Sequence, residues 1–510
     1  MKSYVSTYMY LLLSASFLTF AVLLAGSVWR FSRANGIARK WHWMMLALIM
    51  CCAAYLRFFH TPSEFRIFYD GYEICNLAET IAKHGRFTHC SAGTLDNCEI
   101  EVMTKRPPAF AFLGGMAMKL TGRTGPEVVF AVNNALGVLC VPMLFLLVAA
   151  ASRDAEAALL SAVLAAILPL HVKMSTNAST EIFNFFLICA ILFFLKQFVN
   201  AGRRLDFAGM AAALHLAFLN RSENVLFFFL LPLCILGFKE DRRRIYDMFC
   251  IAWLLLVITF IPLTSVFVNI HNIHMGHMDL LYTLTPYETL ARNAAYLFRN
   301  DYLPPAVAAA ALGGAVWLWK SAGITARILT AYFLLSFAVM SLVNVGLWIG
   351  DFPRLLIAMT VTLFYWFGVT VVALVKTLKG RARVAAILSI AALLAAGLNT
   401  SPPAFHAVSK TYDRMMRDFL PTAPPECSFF SPSVEVFHLY SSNRAYKIQR
   451  LLDEQFVEQH PECKIIVREF FCTMNYKEAC DLVAQKYKER IIFNSSVPGG
   501  NYTISLIEEE

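Results

Sequence analysis

The sequence predicts a polytopic α-helical membrane protein with a small α/β soluble domain at its C-terminal end, and three observations predict it. Of 510 residues, 58% are hydrophobic and only 15% charged, and the mean hydropathy is +0.56, too apolar for a water-soluble domain. Many apolar runs approach the roughly 20 residues that a spanning helix needs. From Ser401 onward those runs shorten, while charges, Pro and Cys rise. The net charge of +9 is read through where the Lys and Arg lie, which sets membrane orientation, and not as affinity for nucleic acid. The forty-two Phe suit lipid-facing helices.

Taken in order, residues 8–28 form a first apolar segment, long for a signal peptide and without a small-residue cleavage site before its end, so it is read as a membrane helix. Arg30, Arg33, Arg39 and Lys40 follow at once, which places that connection in the cytoplasm and the N-terminus outside. A second helix near 41–56 then delivers the chain to the outer face. The first outer loop covers residues 57–125. Within it AFAFLGGMAMKL, residues 109–120, is too short to span and reads as a juxtamembrane helix along the interface. With that segment not crossing, Arg153, Lys196, Arg203, Arg204, Lys239, Lys320, Arg327 and Lys376 all fall on the cytoplasmic side. Further spans are expected near 126–150, 155–171, 180–198, 206–219, 222–238, 246–268, 304–320, 326–348, 354–375 and 384–399, for about twelve in all.

The division expected is a membrane domain over 1–400 and an extracytoplasmic α/β domain over 401–510. In the latter, KIIVREFF, RIIFN and YTISLIE read as strands, and AYKIQRLLDEQFVEQ and YKEACDLVAQKYK as amphipathic helices. Cys51, Cys52, Cys140, Cys189, Cys234 and Cys250 lie in apolar runs and read as packing. Cys75, Cys90, Cys98, Cys427, Cys463, Cys472 and Cys480 lie in polar segments, where an oxidising compartment permits disulfides; Cys90 with Cys98 is the preferred pair. No zinc-type spacing and no glycine-rich phosphate loop is present.

The stretch from Arg66 to Phe112 is the long polar insert of the membrane part, and a site is expected there. Asp70 and Glu73 stand three apart at the start of a helical pattern, so both carboxylates can point the same way. They suit a general base or a metal ligand. Helix capping explains Asp70 equally well, and the residues leave both readings open. Lys105 and Arg106 precede Pro107-Pro108, which suits either a lipid phosphate or a plain interfacial anchor. Glu181 begins a span on the same face, with first-turn capping as its bland explanation. Arg221 and Glu223 sit at a similar depth and can simply pair with each other. Arg354 begins a span beside Asp351. His271, His274 and His277 recur in steps of three without a completing acid, so a solvated loop is preferred to a metal site. Asn177, Asn220, Asn399, Asn494 and Asn501 fit the N-x-S/T pattern, which is common by chance.

An apolar helix leading into FYDGYEICNLAETIAKHGRF and then KRPPAFAFLGGMAMKLTG resembles the GT-C superfamily of integral-membrane glycosyltransferases, nearest the branch of protein O-mannosyltransferases and lipid A aminoarabinose transferases. In that family the first outer loop carries an Asp near its start and a basic-Pro-Pro element near its end, here Asp70 and Arg106-Pro107-Pro108. STNASTEIFNFF is similar to the acidic position of the second loop, at Glu181. AFLNRSENVLFF resembles an L-x-R-P-E segment, with Arg221 and Glu223 retained and Ser222 in place of Pro. GDFPRLLIAM resembles a late R-Y-x-L-P segment through Arg354, with the Tyr and Pro absent. Two features depart from the pattern: Gly71 replaces the second acid of a frequent Asp-Glu pair, and an extra helix precedes the loop-bearing one.

The resemblance implies a GT-C-like fold and a polyprenyl-phosphate sugar as donor, with inversion at the anomeric carbon. It implies a lipid, glycan or protein acceptor on the non-cytoplasmic face, of a bacterial inner membrane in the expected setting. Asp70 is then the general base, aided by Glu181 or Glu73, and Lys105, Arg106, Arg354 and Arg221 hold the donor phosphate. No cofactor is implied with certainty, and a divalent metal is left open, with Gly71 counting against it. The alternative is a transporter or flippase for a lipid-linked or polar solute, which predicts related halves and midplane charges that the sequence does not display.

Overall fold

Inside a bilayer the backbone finds no water, so an apolar run must pair its amides within itself and folds as a helix. The computed structural model describes residues 2–34, 38–66, 69–103, 106–227, 286–299, 302–321, 323–342, 356–385, 388, 392, 404–473, 476–497 and 500–508. Among the described residues, five helices are long and apolar enough to cross a membrane: Thr7–Arg33, Lys40–His60, Pro126–Ser152, Glu181–Ala201 and Ile357–Thr377. A bent pair, Ala155–Ile167 with Pro169–Ser175, counts as a sixth if taken as one span. The expectation of about twelve is therefore not reached among the described residues. The segments expected to span at 222–238, 246–268 and 384–399 lie largely outside them, as do His271, His274 and His277.

The described helices of the first half are α1 (Lys2–Ala34), α2 (Lys40–Tyr55), α3 (Asp70–His84), α4 (Ala109–Thr121), α5 (Pro126–Ser152), α6 (Ala155–Ile167), α7 (Pro169–Ser175), α8 (Glu181–Ala201) and α9 (Arg204–Asn220). Helix α8 packs against α5 and α9, and α6 against α5. Its Phe183, Phe185, Phe186, Phe193 and Phe194 are buried, so these phenylalanines of α8 serve helix packing rather than lipid contact, contrary to the composition-based expectation. Helix α4, at 13 residues, is too short to span and lies on α3 and α5. Phe17 of α1 stacks on Phe112 of α4 at 5.7 Å and on Phe183 of α8 at 5.8 Å, which pins α4 to the bundle.

Between α6 and α7 the axis turns by 57°. Pro169 has no amide to give to Ala165, and the break also strands Ala166. Arg57, 1% exposed, donates to both carbonyls at 2.8 Å. The buried cation is thus a structural plug for a broken helix.

The seven-stranded sheet is β1 (Thr88–Gly93), β2 (Cys98–Met103), β3 (Ser428–Ser431), β4 (Ala445–Lys447), β5 (Lys464–Arg468), β6 (Glu489–Val497) and β7 (Gly500–Ile507), in the order β2-β1-β4-β3-β5-β7-β6. Strand β3 runs parallel to both β4 and β5, and the remaining pairs are antiparallel. Two strands come from the first long loop, residues 57–125, so the sheet draws on both sides of residue 400. The join is at Gly93, which pairs with Ala445. Its φ of 95° is cheap only for glycine.

The three expected strands are present. Of the two expected helices, residues 477–486 form one. The other is not a single helix: Ala445–Lys447 is β4, Ile448–Leu452 a 3-10 turn, and only Glu454–Gln459 helical. Asp453 ends the turn and caps the short helix after it by accepting from the Phe456 amide. Disulfides join Cys90 to Cys98, Cys427 to Cys463 and Cys472 to Cys480, and Cys75 is a buried free thiol. Cys51 and Cys52 are exposed on α2, so they do not pack the core as expected.

Candidate active site

The first loop is stitched to the turn between α7 and α8 before it reaches Asp70. The Glu64 amide donates to the Thr176 carbonyl at 3.1 Å, and the Arg66 amide to the Asn177 side-chain oxygen at 3.0 Å. Asn177, fully buried, is thus a structural anchor and not a glycosylation acceptor. One residue beyond Asp70, a Cβ at Gly71 would lie 2.6 Å from Phe65 Cδ1 and 3.3 Å from the Ala178 carbonyl. Only glycine fits that approach without displacing the neighbours, which accounts for the absence of an acid at this position.

Tyr69 precedes α3 at φ 71°, a strained value for a bulky residue. Its ring meets Phe471 edge-on at 5.2 Å, and its hydroxyl bonds to Glu435. Burial, with Glu435 and Glu73 close by, pushes the Tyr69 hydroxyl well above its ordinary pKa. Helix α3 has no side-chain cap. The Asp70 carboxylate instead takes Nη2 of Arg106, and Glu73 takes Nε of the same guanidinium. The two ends of the loop therefore meet. Burial opposes the Arg106 charge, but Asp70 and Glu73 outweigh it and raise its pKa.

A second cluster lies at the start of α8. Glu181, 4% exposed, takes Nη1 of Arg221 at 2.8 Å, and Glu223 takes Nε. Arg221 also reaches the Thr180 hydroxyl at 3.1 Å, and Asn220 donates to the Thr180 carbonyl at 3.0 Å. Arg221 therefore pairs with Glu223, as the spacing allowed, and with Glu181 as well. Asp70, Glu73 and Arg106 form one group and Glu181, Arg221 and Glu223 another. The 176–178 turn is held by the first loop on one side and leads into α8 on the other. Lys105, Arg354 and Asp351 lie outside the described residues.

As metal ligands the groups fit poorly. The two carboxylates that would hold a divalent cation are bridged by a guanidinium, and among the described residues no group of three or more His, Cys, Asp or Glu is placed to hold one.

The structure is similar to ArnT from Cupriavidus metallidurans in the apo state, with TM-score 0.58 and 11% identity over 91% of this chain and 97% of that one. The same protein bound to undecaprenyl phosphate gives 0.57 and 11%, over 92% and 98%. It is also similar to the oligosaccharyltransferase AglB from Archaeoglobus fulgidus, solved with an inhibitory peptide and a dolichol-phosphate, at 0.51 and 15% over 91% and 74%. Residues 105–268 match the family model of dolichyl-phosphate-mannose-protein mannosyltransferase. The chain has the GT-C fold. No curated protein matches it by sequence.

On this GT-C scaffold the C-terminal region supplies residues beside the candidate site that sequence reasoning missed. Lys447 of β4 lies 3.7 Å from Glu435 and donates to the Pro432 carbonyl at 2.6 Å. Burial lowers its pKa, but Glu435 and more distant acids, Glu73 among them, raise it overall. Asp413 accepts from Tyr72 of α3 at 3.4 Å and from Tyr440 at 2.7 Å, and pairs with Arg417 at 2.9 Å. The contact between Tyr72 and Asp413 spans more than three hundred residues, and nothing local in the sequence marks it.

Proposed function

We propose that the protein is a membrane glycosyltransferase that moves a sugar from a polyprenyl-phosphate donor to an acceptor on the non-cytoplasmic face, with inversion. One observation carries this reading: Arg106, from the end of the first loop, is paired with Asp70 and Glu73 from its beginning.

The ion pair explains how one site serves both substrates. A donor phosphate offers Arg106 two oxygens of one group, a bidentate partner in place of two separate carboxylates. As Arg106 turns to it, Asp70 is released to accept the proton of the acceptor hydroxyl. That oxygen attacks the anomeric carbon while the carbon–oxygen bond to the phosphate breaks, and the lipid phosphate leaves against Arg106, with Lys105, Arg354 and Arg221 as further cations of the same face. A single displacement inverts the centre. Glu73 remains with Arg106, and Glu181 orients the acceptor. Disulfides at Cys90–Cys98, Cys427–Cys463 and Cys472–Cys480 support an extracytoplasmic first loop and C-terminal region, since such bonds persist in oxidising compartments.

The test incubates purified protein in nanodiscs with radiolabelled polyprenyl-phosphate sugars and membrane extract. Label is expected in an acceptor fraction with the wild type and not with Asp70→Asn. If the wild type transfers from no donor yet moves labelled lipid between leaflets, the transporter reading replaces this one.

A further inference from the structure

Nine residues along α3 from Asp70, about 13 Å at the rise of an α-helix, a cavity of about 450 Å³ opens. Its lining comes from four parts of the chain: Glu79 and Lys83 of α3, Asp96 between β1 and β2, Glu127 at the start of α5, and His438 and Tyr440 of the C-terminal region. The cavity is a cleft between the membrane unit and the sheet.

Its charges do not cancel. Lys83 lies 2.8 Å from Asp96, and its charge also opposes the effect of burial on the Glu79 carboxyl. His438 adds no positive charge, because burial lowers its pKa to about 4. Glu79 is only 5% exposed; the Gly125 amide bonds to it, and burial pushes its carboxyl up to about 7. Among the described residues neither Glu79 nor Glu127 forms an ion pair. A buried carboxylate facing a polar cavity is stabilised by a cation that also donates hydrogen bonds. The volume is within the range of small-molecule sites and far beyond that of a bare ion.

The location narrows the choice of cation. Pro126, which lines the cavity, begins the spanning helix Pro126–Ser152, so the cavity stands at one membrane edge. Leu120, near the end of α4 and a few residues before the lining Thr124, is 82% exposed. The exposed Arg123 stands beside the lining Thr124, where an interfacial arginine meets lipid phosphate. The geometry points to this cavity as a binding site for the headgroup of an aminophospholipid, its primary ammonium donating to Glu79 and Glu127 and its phosphate held at the rim near Arg123. The site does not depend on the transfer reaction.

The test is native mass spectrometry of the purified full chain loaded with phosphatidylethanolamine, phosphatidylcholine or phosphatidylglycerol of identical acyl chains. Retention of the ethanolamine lipid should exceed that of the glycerol lipid by at least about tenfold, the effect of one charged hydrogen bond. The choline lipid, a cation without N–H donors, should fall between them. The double variant Glu79→Gln with Glu127→Gln should lose the preference. If it does not elute as a monodisperse protein, the single variant Glu127→Gln, at an exposed rim position, should lose part of it. Glu156→Gln, at a surface pair with Lys376, should leave it unchanged. Equal retention of the ethanolamine and glycerol lipids, or an unchanged preference in the variants, overturns the proposal. So does competition by soluble phosphoethanolamine as strong as that of the lipid, which would make the source a soluble amine.

Discussion

Arg106 Nη2 lies on Asp70 Oδ1, so the proposed base is held by the cation proposed to receive the leaving phosphate. The carboxylate should be indispensable once the donor is bound. Asp70→Asn should reduce kcat by about 10²–10⁴-fold, the usual range for a lost general base, while leaving the donor KM within a few-fold. A variant that transfers at the wild-type rate removes Asp70 from the mechanism.

Arg106→Lys keeps the charge and loses the fork that reaches both carboxylates. Its donor KM should rise at least about tenfold, because charged hydrogen bonds of this kind are each worth an order of magnitude or more. Polyprenyl phosphate should inhibit it correspondingly less, measured as an inhibition constant against labelled donor.

Gly71→Ala should destabilise the fold by about 1–3 kcal/mol, as overpacking of a tight site does. The added methyl meets Phe65, which is itself packed on Tyr72 at 4.1 Å. A fall in the thermal midpoint, partly reversed by Phe65→Leu in the same chain, is the expected result.

Glu469 is fully buried, and burial pushes its carboxyl up to about 7. It faces Lys447 and Glu435, with Ser431 and Ser433 beside it and Tyr412 and Tyr502 close by. A carboxyl raised in the folded state binds its proton more tightly there than in the unfolded chain. Its contribution to stability is complete below about 4.5 and is lost as pH rises through about 7. Glu469→Gln should flatten the decline in thermal midpoint between pH 5 and 8 relative to the wild type.

Cys427 and Cys463 stand immediately before the parallel strands β3 and β5, and their disulfide closes a separation of 36 residues. Cys427→Ala with Cys463→Ala should cost about 2–4 kcal/mol by the loop-entropy estimate. Differential scanning calorimetry of the oxidised proteins should show the lower midpoint in the variant, and reductant should narrow the gap between the two.

The helical membrane class, the juxtamembrane α4 and the Cys90–Cys98 pair were legible in the sequence because each rests on local composition or spacing. Asp70 and Arg106 were legible as the two ends of one loop, and Glu73, expected to point the same way as Asp70, shares the same guanidinium. The helix expected over 445–459 failed because amphipathic spacing cannot distinguish a helix from a short strand followed by a turn, once β1 and β3 are available as partners. The roles of Arg57, Asp413 and Lys447 could not be read at all. Each depends on a partner brought beside it by tertiary packing: the broken helix for Arg57, α3 for Asp413 and Glu435 for Lys447.

The hydrogen bond between His438 and the Gly93 carbonyl links residues 345 apart, within the same join at which β1 meets β4. At ~5–20 residues per second on the ribosome, roughly 20–70 s separate the emergence of the two partners. Throughout that interval the nascent loop bearing Asp70 presents an unpaired strand edge at the membrane surface. A chain stopped before Ala445 would leave that edge of β1 without its partner, so completion of the first-loop hairpin waits on synthesis of the C-terminal region.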